Sequence, residues 1–528
     1  MSGTQDSDGI PRGLLDAAPV SLGRVDTDAI TRTAGRGALW RGMGSFWSMA
    51  VLIGASAVLA RKLSQSDFGI FSMALVARNL IQRISVEGMS QGLIAKKDLT
   101  DTDICTAFWS MLPVKAGMVV IAFAAAPLAG LYFHEPRVVN VLRAVCLSFL
   151  LVGLGTVSNA LLARRMRFGV LALLQGIGSF IASGTSVALV LVTDIGYWAL
   201  VVGTLAEQAF LQVSIFLAAG WWPKLRFSRA SLGFHFRFGA YGLGGSLAGW
   251  LDKNLDYLFV GRLLGAGTMG LYQFAYSLPH KIHTSVSGAV GAVLLPGYSQ
   301  AQSSRNALGR GLLKATRLLA ILTWPICAGL AALAHPAVAV LWGDKWLAVV
   351  PALQILCVSA AMNSLHGPSG AIFLACHRPD LPFKLQLVRT AIAIPAVIGL
   401  GLLLGFVGVA IAMSAAALFF FVVARRATRL MALPYTQMLR ALAPAAIISG
   451  VVFAAARAAS IMLLMWGAHE SVALGVGTAA GLAGGLVVAL AVFPRRVGEL
   501  REIARTVLSR RRRSTGNDAG PFAGGASS

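Results

Sequence analysis

From about position 40 to about position 495 the chain repeats one pattern, an apolar run followed by a short polar or charged break. Runs such as "MVVIAFAAAPLAGLYF", "AIAIPAVIGLGLLLG" and "VGVAIAMSAAALFFFVVA" carry no charge. A helix of about 20 apolar residues crosses the ~30 Å hydrocarbon core of a bilayer. In lipid each backbone N–H and C=O must be satisfied inside the structure, so these runs are read as helices. The spacing predicts fourteen of them, over 42–60, 68–92, 108–133, 138–162, 169–193, 196–219, 237–260, 266–296, 313–340, 347–375, 383–404, 406–424, 439–466 and 471–493. "DIG" between the fifth and sixth, and "GF" between the eleventh and twelfth, leave room only for tight helix hairpins.

Composition and charge place these helices in a membrane. Hydrophobic residues make up 56% of the 528 and charged residues 12%, against about 45–50% and about 25% in soluble domains. Mean hydropathy is +0.73. A net charge of +24 would fit nucleic acid, but the cations cluster between apolar runs, as cytoplasmic loops require. With the N-terminus inside, the outward turns carry five cations: Arg61, Lys62, Arg137, Arg262 and Lys345. The inward loops, among them Arg164–Arg167, Arg305–Arg317 and Arg425–Arg429, carry eighteen. Five more precede the first run and eight follow Phe493. An even number of crossings with both termini cytoplasmic follows. The five cysteines lie in or beside apolar runs without a C-x-x-C pair, which reads as small core residues, not a metal site.

The polar first 36 residues hold no apolar core for a cleavable signal, and the end, "RRRRSTGNDAGPFAGGASS", reads as a disordered basic tail over anionic inner-leaflet lipid.

One short stretch is written twice. "ARKLSQSDFGIFSMA" (60–74) and "VGRLLGAGTMGLYQFA" (260–275) match at a single offset of 201, with Arg61 on Arg262, Leu63 on Leu264, Gly69 on Gly270 and Ala74 on Ala275. "DIGYWALVVG" and "LLGFVGVAIA" echo each other at the start of the sixth and twelfth runs. Six crossings separate the copies, so they share one orientation. The expected fold is all-α and integral to the membrane, with two parallel six-helix lobes (37–220 and 237–430) and two further helices in 431–494. A tail (1–36), a linker (221–236) and a basic tail (495–528) lie on the cytoplasmic side. Repeats of this kind place a transporter's substrate site at the lobe interface near the midplane.

The stretches "RRMRFGVLALLQGIGSFIASGTSVALVLVTDIGYWALVVGTL", "WWPKLRFS" and "FRFGAYGLGGSLAGWLDKNLDYLFVGRLLGAGTMGLYQFAYSLPHKIHTSVSGAVGAVLLPGYSQ" resemble the polysaccharide transporter family of the MOP superfamily. The resemblance covers roughly residues 36–495. It implies twelve helices in two lobes with two appended, alternating access, and a polyprenyl-pyrophosphate-linked glycan as cargo. It further implies a flippase of the bacterial inner membrane serving exopolysaccharide, capsule or lipopolysaccharide synthesis, with a polymerase and chain-length machinery as partners.

A charge at membrane depth costs at least ~2.5–3.5 kcal/mol, so each such residue is a functional candidate. Arg78, Arg83, Lys253 and Lys281 are the candidates for a cationic cargo cavity, since a buried pyrophosphate needs partners in place of water. Arg78 and Lys281 fall near matching positions of the repeat. Arg78 either lines the cavity or pairs with Glu207; Arg83 either lines it or neutralises Glu87 four residues on. Asp252, Asp256 and Glu207 are the candidates for coupling to H+ or Na+, with membrane potential as a further driving force and no cofactor. Asp252 and Asp256 share a helix face, and the other reading of them is an ion pair to a lobe cation. His280 and His283 read as helix contacts or a proton relay. Arg143, Arg389 and Arg440 are expected to snorkel from span ends, and "MNSLHGPSGA" to form a gating break or a packed kink.

No G-x-x-x-x-G-K-[ST] loop and no H-E-x-x-H occur, which removes ATP hydrolysis by that route and a zincin site. Two alternatives stand beside the flippase. A multidrug-type exporter of the same superfamily would want an acidic cavity. A membrane glycan polymerase or ligase would want a carboxylate in an outer cleft, for which Asp256 and Glu470 are the candidates.

Overall fold

A computed structural model describes residues 51–84, 99–165, 167–229, 249–300, 304–378 and 380–492, with Leu93 and Leu247. Among these the regular secondary structure is all helix, with no strand. The N-terminal tail, the basic C-terminal tail and Glu87 lie outside the described residues. The helices are α1 (51–62), α2 (Gln65–Ile84), α3 (Asp101–Phe133), α4 (Arg137–Cys146), α5 (Ser148–Arg164), α6 (Phe168–Val192), α7 (Trp198–Ala219), α8 (249–263), α9 (Gly265–Gln300), α10 (Arg305–Ala332), α11 (Ala334–Trp342), α12 (Val350–Asn363), α13 (His366–Ala375), α14 (Asp380–Ala417), α15 (Phe420–Leu430), α16 (Tyr435–Met465) and α17 (Glu470–Val492).

Among the described residues nine helical stretches are long and apolar enough to cross a membrane, and the chain is a multi-pass membrane protein. Leu173, Phe180, Leu482 and Val487 stand exposed on such helices, as side chains facing acyl chains do. The first and seventh predicted runs lie partly outside the described residues, and the rest of the difference from fourteen is physical. The helices α2 and α9 are too polar to qualify, because both line a polar cavity. The eleventh and twelfth predicted runs fall in one continuous helical stretch, Asp380–Leu430. That stretch is not straight: Gly405 has φ 61° and ψ −145°, a backbone state that glycine alone adopts readily. Beyond it Gly408 lies against the carbonyl of Leu400, and Gly401 against Val409, so the chain folds back on itself.

Several predicted boundaries move. The third run starts at Asp101, seven residues early, because Thr100 and Asp103 form a reciprocal capping box. Lys115, which a late start would have left near the surface, is therefore buried well inside α3. Arg305, Arg310, Lys314 and Arg317, assigned above to a loop, lie on α10, capped by Ser304. The fourth run breaks at Leu147 into α4 and α5. The tenth breaks at Ser364–Leu365, in "MNSLHGPSGA", and this break is packed: both residues are fully buried, and Ser287 of α9 donates to the carbonyl of Ser364 at 3.5 Å.

The duplicated stretch marks where the two halves of the chain meet. Gly69 of α2 packs on the backbone of Ala266 in α9, and Gly270 of α9 packs on the backbone of Gln65 in α2. The offset of 201 maps one pairing onto the other, Gly69 onto Gly270 and Gln65 onto Ala266, so equivalent positions make the contact from each side. No Cβ fits at either glycine. Around the crossing lies a core of Phe68, Phe274, Trp342 and Trp346, with the Phe274 ring 4.6 Å from Trp342 and 4.1 Å from Trp346.

Candidate functional site

The repeated arginines explain why this corner is charged. Helices end with orphan carbonyls and a partial negative charge. Arg262 at the end of α8 donates to the last carbonyls of α3, Leu131 at 3.2 Å and Tyr132 at 2.7 Å, and also meets His134. Its repeat-mate Arg61 donates to Val340 near the end of α11 at 3.0 Å. Each half thus caps a helix of the other. Lys345 adds a third tie, donating to Arg61 and Leu63 carbonyls at 3.1 and 2.9 Å, while Trp346 Nε1 donates to the Ala60 carbonyl at 3.0 Å. Three of the five cations expected in outward turns are consumed in these contacts, which close one end.

Directly past this closed end the same helices diverge around a cavity of about 510 Å³, within the range of small-molecule sites. Its walls come from α2 (Asn79, Gln82, Arg83), α8 (Trp250, Lys253, Asn254, Tyr257) and α9 (Gln273, Tyr276, His280). The spacings are those of one face of a helix. Among the described residues the lining holds amides, aromatic rings and two cations, and no carboxylate. Amides exchange hydrogen bonds with hydroxyls in either sense, aromatic faces stack on apolar ring surfaces, and Arg and Lys bind phosphate oxygens.

The charged residues singled out from sequence divide into three groups. Arg83 and Lys253 line the cavity. Arg78 does not: its guanidinium donates to Ser148 Oγ at 3.0 Å and Gln82 Oε1 at 3.3 Å, and lies over the Phe149 ring. Lys281 is also absent from the lining. Both lie within electrostatic reach of Glu207 on α7, without a hydrogen-bonded Arg78–Glu207 pair.

Asp252 belongs to the third group. It is bonded by Arg389, and Thr390 Oγ1 donates to it at 2.8 Å. Arg389 in turn reaches Asn363 Oδ1 at 3.2 Å. The expectation that Arg389 snorkels fails, because α14 starts at Asp380 and places it about 14 Å along the helix, facing α8. Asp256 is 0% exposed. It accepts from Tyr272 Oη at 2.7 Å and from the Tyr257 N–H at 3.0 Å, and no cation among the described residues pairs with it. His280 stacks on Tyr276 with ring centroids 4.9 Å apart, and His283 contacts Ser287. Arg457, on α16, donates to the Ala332 carbonyl that ends α10.

A second cavity, of about 330 Å³, is almost wholly apolar and runs between α10 and the last two helices, lined by Ile326, Leu330, Val452 and Leu482 among others. Sequence reasoning missed the cavity amides. The amides carry no charge, and only their recurrence on one helix face marks them.

Comparison with known proteins places this architecture. The sequence model for the polysaccharide biosynthesis protein family matches residues 58–351, more than half of the chain. The chain belongs to that family. Among relatives, the lipopolysaccharide biosynthesis protein WzxC of Escherichia coli (strain K12) is 26% identical over 379 residues, 71% of this chain and 76% of WzxC. The succinoglycan biosynthesis transport protein ExoT of Rhizobium meliloti (strain 1021) is 27% identical over 339 residues, 63% of this chain and 67% of ExoT. Among solved structures, the lipid II flippase MurJ in an inward closed conformation superposes with a TM-score of 0.71 at 16% identity, over 87% of this chain and 100% of MurJ. At that identity the likeness concerns the fold. This chain and MurJ thus share a helical fold.

Proposed function

We infer that this protein is a flippase that moves a polyprenyl-pyrophosphate-linked oligosaccharide across the bacterial inner membrane by alternating access, for exopolysaccharide, capsule or lipopolysaccharide assembly. One observation carries the reading above all: a polar cavity with no carboxylate among its described lining residues lies between the two halves of the chain, shut at one end by contacts that repeat-related residues make reciprocally. A contact built from identical elements on both sides parts as one unit, which is what opening to the opposite face requires. Membership of the polysaccharide biosynthesis family supports the cargo class, as does a relative named as a biosynthesis transport protein.

In this reading fourteen helices cross the membrane, twelve in two lobes and two appended, with both termini cytoplasmic and the shut end facing outward. Arg83 and Lys253 meet the pyrophosphate, the amides and rings meet sugars, and the apolar groove beside α16 and α17 takes the polyprenyl chain. Arg78 and Lys281 tune the same field through Glu207. Asp252 already holds a cation of the protein's own, so Asp256 and Glu207 are the carboxylates left to couple H+ or Na+; membrane potential would act on the net cationic cavity. The cargo leaves to a polymerase and its chain-length machinery. A multidrug-type cavity would attract cations, and this one presents Arg and Lys. A polymerase or ligase needs an accessible carboxylate, whereas Asp256 is buried and Glu470 is engaged by His335 at 3.4 Å.

Arg83→Gln with Lys253→Gln tests the cavity. A charge-assisted hydrogen bond contributes ~1.5–3 kcal/mol, so each change is expected to lower export about tenfold or more. Membrane level and thermal stability should stay at wild-type values. Unchanged export by the double variant, at normal abundance, would remove both residues from the cargo path.

A further inference from the structure

The segment that leaves α7, "WWPKLRFSR" (221–229), has a different character from the helices it joins. Its backbone is irregular. It is tied to α3 by Trp109, whose Nε1 donates to the Lys224 carbonyl at 2.9 Å, and by the Ser228 N–H, which donates to Thr106 Oγ1 at 3.0 Å. Trp221 packs on Phe108. With the backbone fixed in this way, three large apolar side chains point outward: Trp222 is 69% exposed, Leu225 89% and Phe227 55%. Lys224, Arg226 and Arg229 alternate with them and are exposed too. No Asp or Glu occurs between Glu207 and Asp252.

Two physical demands fix where such a segment lies. Irregular backbone facing lipid does not enter the hydrocarbon core, since its polar groups would be left unbonded. Three exposed apolar side chains of this size do not belong in bulk water either. The headgroup layer satisfies both, with rings and Leu225 at the acyl boundary and cations at the phosphates. Three cations in a segment that carries no carboxylate of its own then select an anionic surface over a zwitterionic one.

We propose that residues 221–229 form a surface anchor for anionic phospholipid, in which Trp222, Leu225 and Phe227 enter the acyl boundary while Lys224, Arg226 and Arg229 bind headgroup phosphates. The neighbouring Arg165 and Arg167, also exposed, extend the same cationic shelf. Through Trp109 and Thr106 the anchor fixes the adjoining end of the N-terminal half against the membrane surface. This is independent of which cargo the cavity takes.

The test uses the full-length chain in nanodiscs of phosphatidylcholine, alone or mixed with phosphatidylglycerol. A spin label at Leu225→Cys, with the partly exposed Cys376 replaced by Ser, reports its depth by collision with oxygen and with a water-soluble nickel complex. With phosphatidylglycerol the label is expected at the headgroup–acyl boundary. In phosphatidylcholine alone, or after Lys224→Glu, Arg226→Glu and Arg229→Glu together, it should move to water. Each cation contributes about fivefold to the partition, and the three together on the order of 100-fold. A label that stays in water with phosphatidylglycerol overturns the proposal and leaves the surface to a protein partner. A label equally deep in both lipids and indifferent to charge reversal overturns it as well, leaving aromatic insertion without recognition of the anion.

Discussion

Replacing Gly270 by alanine is expected to abolish most export while leaving the protein inserted and abundant. The new methyl overlaps the Gln65 carbonyl, and Gly69→Ala overlaps the Ala266 carbonyl. In both cases the obstacle is backbone, which no side-chain rotation relieves. Overpacking of this kind costs about 1–3 kcal/mol, and here the cost falls on the closed end alone. The population closed at that end then drops about 5- to 150-fold. The two changes meet in one contact, so their effects will not add. Gly267→Ala, one turn away with open space around it, should export normally. A cysteine at Gln65, labelled from outside the cell by an impermeant maleimide, would read the gate directly. Labelling should rise in Gly270→Ala and stay low in Gly267→Ala. Equal labelling in the two variants would mean that the crossing is not the gate.

The second large effect lies in the Asp252–Arg389 pair. Removing one partner of a buried ion pair costs about 3–5 kcal/mol, because the other charge stays behind unpaired, whereas replacing both by apolar residues of similar size is often neutral. Arg389→Ala should therefore lower the unfolding temperature sharply, through loss of the bonds to Asp252 and Asn363. Asp252→Leu with Arg389→Met should recover most of that loss. The double variant also separates structure from coupling. If the pair serves only to hold α8 to α14, the recovered protein will export with its normal dependence on the ion gradient. A recovered fold with that dependence abolished would return Asp252 to the coupling site.

Much of the architecture was legible because lipid makes hydrophobic patterning almost sufficient. Apolar runs marked the helices, and the 201-residue echo marked the place where the halves meet. The echo did not disclose its purpose, since a pair of glycines in an apolar run reads as packing anywhere. Only the structure shows Gly69 and Gly270 opposed across one crossing, with Arg61 and Arg262 capping each other's halves. Charge was a weaker guide to the cavity. Of four cations chosen for depth, Arg83 and Lys253 line it, while Arg78 is turned toward Ser148. Depth along a helix is written in the sequence, but the direction a side chain faces depends on its neighbours. Arg389 failed for the same reason. Its distance from a span end depended on where α14 begins, and its partner lies 137 residues away.

The central reading is that this chain carries lipid-linked oligosaccharide from the inner to the outer leaflet. Depletion of the protein, followed by measurement of which leaflet holds that lipid, tests it most directly. Flipping predicts accumulation of complete lipid-linked oligosaccharide in the inner leaflet, inaccessible to glycan-modifying reagents added outside. Normal appearance of the units on the outer face, unpolymerised, would contradict it.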